Sequence, residues 1–144
     1  RHEQRLDAEL RQLRLRLATG RGDDLRDAAL DLQRRAEALG EPQLTATALY
    51  VVGMARAQQG EDRDAIRLLE QAVRIETPSR SFPHDRLTWY ASLMRLHARN
   101  GDAAAASRVR REGLAYADRM TIPRTHPARD ALRAVETITT ANAP

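Results

Sequence analysis

The sequence predicts an all-helical protein, because its apolar residues recur at helical spacing and no segment alternates apolar and polar residues as a strand does. Hydrophobic residues make up 42% of the 144 residues, but aromatic residues make up only 3%. Such a core is built from Leu, Ala, Val and Ile, and small side chains allow helix axes to approach closely. At this length we expect one domain, residues 1–144.

The clearest pattern runs from Ala46 to Pro78 and predicts two helices joined by a tight turn. Gly60 is expected to end the first helix in a left-handed conformation, Asp62 to cap the second and Pro78 to stop it. The apolar stripes on the two sides of the turn are Ala48, Leu49, Val52 and Ala55, then Ala65, Leu68, Leu69, Ala72 and Ile75.

Similar helix pairs are predicted on both sides of this stretch. Residues 1–19 and the segment after Asp23 or Asp24 form the first pair, separated by Gly20–Gly22. The other pair begins with a helix that Ser81 is expected to cap and that starts near Pro83. A turn at residues 100–102 then leads to its partner helix. A last helix over residues 126–141 is predicted from Ala128, Ala131, Leu132, Val135 and Ile138, all on one face.

Small residues seven apart set the register of three repeats. The offsets between their first members are 36 and 41 residues, and the additions fall in predicted loops or helix ends. The repeats cover about residues 1–42, 43–80 and 81–120, and residues 126–141 are expected to cap the open end. The alternative is that residues 126–141 are the first half of a fourth repeat. The small pairs are Ala29 with Ala36, Ala65 with Ala72, and Ala106 with Gly113.

The central pair resembles the tetratricopeptide repeat (TPR), a 34-residue helix-turn-helix unit. The matching positions are Val52-Gly53, Gly60, Ala65, Ala72 and Pro78, the last one place late. Arg56 departs from the pattern, since the family prefers an aromatic residue there. The resemblance implies a right-handed α-α superhelix of three TPR-like pairs with a C-terminal capping helix, and it implies non-catalytic binding of a protein or peptide.

The resemblance also implies a partner-binding groove, lined by the first helix of each pair. The alternative is that Tyr50, Val51 and Met54 are covered by the preceding helix pair. The groove is expected to be mildly apolar with a basic edge, and its partner to be acidic. Carried over residue by residue, the predicted groove consists of Thr47, Tyr50, Val51, Met54 and Gln58 in the second repeat and of Thr88, Ser92, Arg95 and Arg99 in the third.

Two other functions remain open as alternatives. The chain begins at Arg1 rather than at methionine, so we expect a segment of a larger bacterial regulatory protein, and one alternative is the sensor domain of a transcriptional or signalling regulator. The second is a self-association module that forms a homodimer through Val51, Met54 or the end faces.

Several kinds of chemistry are excluded or disfavoured by the residues present. The absence of cysteine rules out disulfides, thiolate metal sites and a cysteine nucleophile. Histidines 2, 84, 97 and 126 are too far apart in sequence to form a metal motif, so we expect no metal, no cofactor and no enzymatic activity. The acids Glu61, Asp62 and Asp64 are explained by their place at a helix N-terminus.

Charge and hydropathy limit the kinds of partner that we expect for the chain. All 24 basic residues are arginine, and the net charge is +4. The arginines are interleaved with the 20 acidic residues along the chain. Nucleic-acid binding is disfavoured because Trp89 and Tyr90 are placed on the core side, where they cannot stack on bases. No apolar run is long enough to span a membrane, and we expect a cytoplasmic protein.

Overall fold

In the computed structural model, residues 2–18, 23–75 and 83–141 are described, and within these ranges the chain forms seven α-helices and no strand. This confirms the all-helical class. The helices are α1 (His2–Ala18), α2 (Asp23–Leu39), α3 (Pro42–Gln58), α4 (Asp62–Arg74), α5 (Pro83–Arg99), α6 (Ala103–Arg119) and α7 (Pro127–Ala141).

Prolines start three of these helices. Pro42, Pro83 and Pro127 each occupy the first helical position, where the missing N–H costs nothing and the fixed φ suits a helix. The N–H of Gln43 is capped by the carboxylate of Glu41 at 3.3 Å. The helix α3 therefore begins four residues before the stretch from Ala46 in which the pattern is clearest.

The N-terminal caps of α4 and α6 differ. Asp102 caps α6 by accepting the N–H of Ala105 at 3.0 Å. The prediction that Asp62 caps α4 is wrong, because Asp62 is the first helical residue and Glu61 occupies the cap position without a side-chain cap bond. At that site the carboxylate of Glu61 binds Arg56 at 2.8 Å, and a side chain held by that ion pair does not turn toward the helix N–H groups.

The helices form two compact units, Arg1–Thr77 and Pro78–Pro144. In the first unit α1 packs against α2 and α3, α2 packs against α3, and α3 packs against α4. In the second unit α5 packs against α6, and α7 packs against both. The single domain and the superhelix expected from the sequence stay predictions.

The small residues that set the predicted register are buried. All six members of the three small pairs are buried, from Ala29 to Gly113. At Gly113, an added β-carbon would lie 3.0 Å from both Cβ of Tyr90 and Cδ1 of Leu132. A side chain at position 113 would therefore have to displace Tyr90 or Leu132 slightly.

Some sequence predictions fall outside the described residues. The break at Gly20–Gly22, the stop at Pro78 and the cap at Ser81 belong to this group. The side chains of Val135 and Ile138 in the last predicted helix are also outside the described part.

Candidate partner-binding site

The predicted groove face of α3 is closed in its middle and open toward its C-terminal end. Val51 is 0% exposed and Tyr50 is also buried, so a ligand at the surface of this unit cannot contact the Val51 side chain. Thr47 and Met54 are half-buried, and the Thr47 hydroxyl donates to the Gln43 carbonyl at 2.9 Å. Towards the C-terminal end, Gln58 is exposed.

Packing within the first unit explains this closure. The helix α3 contacts α1, α2 and α4. The alternative that the preceding helix pair covers this face thus fits Tyr50 and Val51, whereas Met54 keeps part of its surface. A homodimer formed through Val51 is incompatible with its burial.

The equivalent face of α5, in the second unit, has the same open end. Thr88 is half-buried and its hydroxyl donates to the His84 carbonyl at 3.2 Å, while Ser92 is buried. Arg95 and Arg99 are exposed near the C-terminus of the helix. The accessible part of this face is therefore basic, as the sequence predicted.

The helix α7 runs alongside α5 in the same direction. The rings of His84 and His126 lie 4.8 Å apart at the start of the two helices, and Tyr90 and Leu132 meet at the same glycine six residues later. Arg133 is exposed on α7. The apolar pattern of residues 126–141 indicates a capping helix and does not by itself point to Arg133, which lies at a polar position directly after Leu132.

Positive charge is concentrated in the second unit. Residues 78–144 contain 11 arginines against six acidic residues, a net charge of +5 with histidines neutral. Residues 1–77 contain 13 arginines against 14 acids, a net charge of −1. The two units thus differ in the field that they present to a charged partner, and the second unit attracts anions.

The acids that follow Gly60 are partly engaged in ion pairs. Arg56 Nη1 lies 2.8 Å from Glu61 Oε2 and 3.7 Å from Asp64 Oδ2. These contacts join the end of α3 to the start of α4. A role as a general acid-base pair is not needed to explain the acids. Arg56, which departs from the repeat pattern in the sequence, has an ion-pair partner in Glu61 that residue spacing alone did not reveal.

The buried side chain of Arg129 ties α7 to the segment before it. Arg129 donates to Asp118 Oδ1 at 2.9 Å and to the Ile122 carbonyl at 2.6 Å. Burial also acts on Tyr116, whose ring lies 5.6 Å from that of Tyr90, and it raises the pKa of the Tyr116 phenol. Neither group is exposed enough to bind a large partner.

Two shallow clefts open beside α1 and α2. Their volumes are about 180 and 210 Å³, and Arg35 lines both. Arg35 binds the carboxylate of Glu9, and this hydrogen bond raises the pKa of the Arg35 guanidinium. Both acids that line the first cleft, Glu9 and Asp31, are thus paired with Arg35.

Among the described residues, no group of three or more His, Asp or Glu side chains is placed to hold a metal ion. None of the described helices is long and apolar enough to cross a membrane. Comparison with protein-family models, curated proteins and solved structures gives no match for this chain.

Proposed function

We propose that this chain is a TPR-like helical repeat that binds an acidic protein or peptide without catalysis. The proposed array is a right-handed superhelix of three helix pairs closed by α7. The accessible end of the α5 face, in the second unit, is the proposed binding surface, with Arg95 and Arg99 as its basic part. Such a protein would act by holding a partner, and its concave surface would contribute no reacting group.

The observation that carries the proposal is the equivalence of two hairpin turns. Gly60 and Gly101 both have φ of +78°, a left-handed conformation that glycine adopts without a steric penalty. Three backbone hydrogen bonds of the first turn, 3.1, 3.0 and 3.0 Å long, recur at the same lengths 41 residues later. In the first turn they run from Gly60 N to Ala57 O, from Glu61 N to Arg56 O and from Ala65 N to Glu61 O.

The packing beside these turns supports the same proposal. Ala65 and Ala106 follow the two turns at equal distance along the chain, and both are buried. Repeats of this kind place one helix pair against the next and leave an extended surface for ligands. The small residues and the turns therefore agree on one repeating unit.

Charge indicates the chemistry of the partner. Arg95 and Arg99 are exposed in the unit with a net charge of +5, and Arg133 adds an exposed arginine on the neighbouring helix. A guanidinium binds carboxylates through two parallel hydrogen bonds. The aromatic residues Trp89 and Tyr90 are buried, which disfavours the base stacking that single-stranded nucleic acids require.

The proposal is tested with a fluorescein-labelled short polyglutamate peptide and fluorescence anisotropy. The double variant Arg95→Glu/Arg99→Glu is expected to weaken binding at least about tenfold, equivalent to ~1.4 kcal/mol. Binding to the parent chain should also weaken as ionic strength rises, because the exposed charges are screened.

The matched control is Arg111→Glu/Arg119→Glu, which makes the same charge change at exposed positions of α6. If binding depends on the α5 face, the control variant should lose less affinity for the peptide than the Arg95→Glu/Arg99→Glu variant loses. Equal losses of affinity in the two double variants would show that binding depends only on the net charge of the chain, and this would refute the proposed site. Tighter binding of a single-stranded oligonucleotide than of the peptide would refute the partner class.

A further inference from the structure

An asparagine followed by a glycine lies directly after the end of α5. The helix ends at Arg99, and both Asn100 and Gly101 are exposed. Gly101 has φ of +78°, and a β-carbon added to it would meet nothing within 4 Å. Solvent therefore reaches this turn, and no side chain at position 101 hinders approach to the peptide nitrogen that follows Asn100.

This pair of residues has a chemistry of its own, since an asparagine side chain can react with the next peptide nitrogen without an enzyme. The nitrogen of Gly101 gives its proton to solvent and forms a bond to Cγ of Asn100. The Cγ–Nδ2 bond breaks, and the amide takes a proton from solvent and leaves as ammonia. Water then opens the five-membered succinimide at either of its carbonyls, which leaves aspartate or isoaspartate at position 100.

Two hydrogen bonds of the folded turn restrain the reacting groups. Asn100 Nδ2 donates to the Leu96 carbonyl at 2.8 Å, and the Gly101 N–H donates to the Ala98 carbonyl at 3.1 Å. Both acceptors belong to the last turn of α5. The end of a helix opens at a much lower free energy than the whole fold does, so these bonds slow the reaction without preventing it.

We propose that Asn100 is a modification site, where the chain deamidates through a succinimide when the last turn of α5 opens. The reaction needs only water, and it replaces a neutral amide with a carboxylate. The site itself is independent of the partner proposed for the α5 face.

The first hairpin turn has the same backbone geometry with a less reactive side chain. Gln59 precedes Gly60 in that turn. The Gly60 N–H donates to the Ala57 carbonyl at 3.1 Å, and Gly60 has the same φ of +78° as Gly101. Glutamine is one methylene longer and would have to close a six-membered ring, which forms more slowly. The chain thus contains a control for the effect of the turn alone.

Deamidation would change the end of α5 in two ways. A carboxylate at position 100 has no hydrogen to donate, so the bond from Asn100 to the Leu96 carbonyl is lost. The carboxylate also places negative charge at the C-terminal end of the helix dipole, where cations are favoured and anions are not. The last turn of α5, which carries Arg99, is therefore expected to open more often after the reaction.

The new charge would lie one residue from Arg99 and lower the net charge of residues 78–144 from +5 to +4. If the function proposed above is correct, on which this step rests, deamidation weakens the binding of an acidic partner. The site would then change the chain irreversibly and in one direction, from a stronger to a weaker binder.

The modification is tested by incubating the whole 144-residue chain at slightly alkaline pH, both folded and in guanidinium chloride. Peptide mapping by mass spectrometry follows position 100 separately from Asn142, the other asparagine of the chain. The rate at Asn100 in the folded chain is expected to lie within about a hundredfold of the rate in denaturant, because only a helix end has to open. Any larger suppression would show that the whole fold must open first and would overturn the proposal.

The products identify the mechanism. Aspartate and isoaspartate peptides should both appear and separate by chromatography, whereas aspartate alone would show direct hydrolysis and overturn the succinimide. Asn100→Gln keeps a donor amide and is expected to bring the product below detection. Gln59→Asn should create the reaction in the first turn, and its absence there would show that this turn and sequence are not sufficient.

The consequence for binding is measured with the labelled polyglutamate peptide. Asn100→Asp is expected to weaken binding by about two- to threefold, and Ala115→Asp, the same charge at an exposed position of α6, should weaken it less. Equal losses in the two variants would overturn the effect on the α5 face. If the parent chain does not bind the peptide, the proposed function is refuted, while the modification site is still decided by the peptide map.

Discussion

A β-carbon at Gly53 would lie 3.3 Å from the carbonyl oxygen of Ala65, so the backbones of α3 and α4 are almost in contact where they cross. The same β-carbon would overlap Cδ1 of Leu69. The closest approach of the two helices is therefore set by residues with little or no side chain. This is the physical basis of the small-residue register that the sequence displays.

Enlarging a side chain at this crossing should destabilise the chain. Ala65 is fully buried, so Ala65→Leu has no space for its added carbons and is expected to cost about 1 to 3 kcal/mol of unfolding free energy. Urea denaturation followed by circular dichroism measures the change. Ala8→Leu, at an exposed position of α1, is the control and should remain within about 0.5 kcal/mol of the parent. Equal costs at the two positions would contradict the close crossing.

Thr121 offers a stabilising substitution, because it has φ of +55° just beyond the end of α6. A β-branched residue is strained in this left-handed conformation, at a cost of about 1 to 2 kcal/mol, and glycine is not. Thr121→Gly is expected to raise the unfolding free energy by about 0.5 to 1 kcal/mol, since the added freedom of the unfolded chain offsets part of the gain. Thermal and urea unfolding measure it.

The reciprocal control for Thr121→Gly is Gly101→Ala. Gly101 has φ of +78° and an added β-carbon there would meet nothing within 4 Å, so only backbone strain changes. This substitution should lower the unfolding free energy by about 1 kcal/mol. A loss of stability in Thr121→Gly would show that the threonine side chain stabilises the fold by more than its backbone strain costs.

Helix periodicity made much of the fold predictable. Trp89 and His97 are buried, and Gly60 and Gly101 have the left-handed conformation expected from their place between helices. The helix starts were less predictable, because a proline is equally typical of the residue after a helix and of the first residue within one. Pro42 illustrates this, since the sequence pattern places it at the end of the first repeat, whereas it begins α3.

Only the exposure of the charged residues of the candidate site was predictable from the sequence. Arg95 and Arg99 are exposed as expected, because long charged side chains stay in water. Val51 is buried in a helix that contacts α1, α2 and α4, and no residue of α3 by itself reveals those contacts. The cap of α7, where the ring Nδ1 of His126 accepts the N–H of Ala128, was also missed, since imidazole is not among the usual capping groups.

Removing the charge of Arg56 should weaken the junction of α3 and α4. The side chain is 18% exposed and pairs with both Glu61 and Asp64, so Arg56→Met is expected to cost about 1 kcal/mol of unfolding free energy. A double-mutant cycle with Glu61→Gln measures the coupling, which should shrink in high salt. The control is Arg67→Met, whose side chain is 63% exposed and 3.7 Å from Asp64, and its cost should be below about 0.5 kcal/mol. An absent coupling would contradict the role of this ion pair.

Arg129 is expected to matter for stability through its backbone contact more than through its ion pair. Its side chain is 6% exposed and that of Asp118 is 75% exposed, so solvent weakens their attraction, whereas the Ile122 carbonyl accepts a bond from Arg129 away from water. Arg129→Met leaves that carbonyl without its donor and should cost about 2 kcal/mol, while Asp118→Asn should cost less than about 1 kcal/mol. Urea denaturation measures both, with Arg133→Met as an exposed control near zero. A larger loss in Asp118→Asn than in Arg129→Met would reverse the ranking and assign the stabilisation to the ion pair.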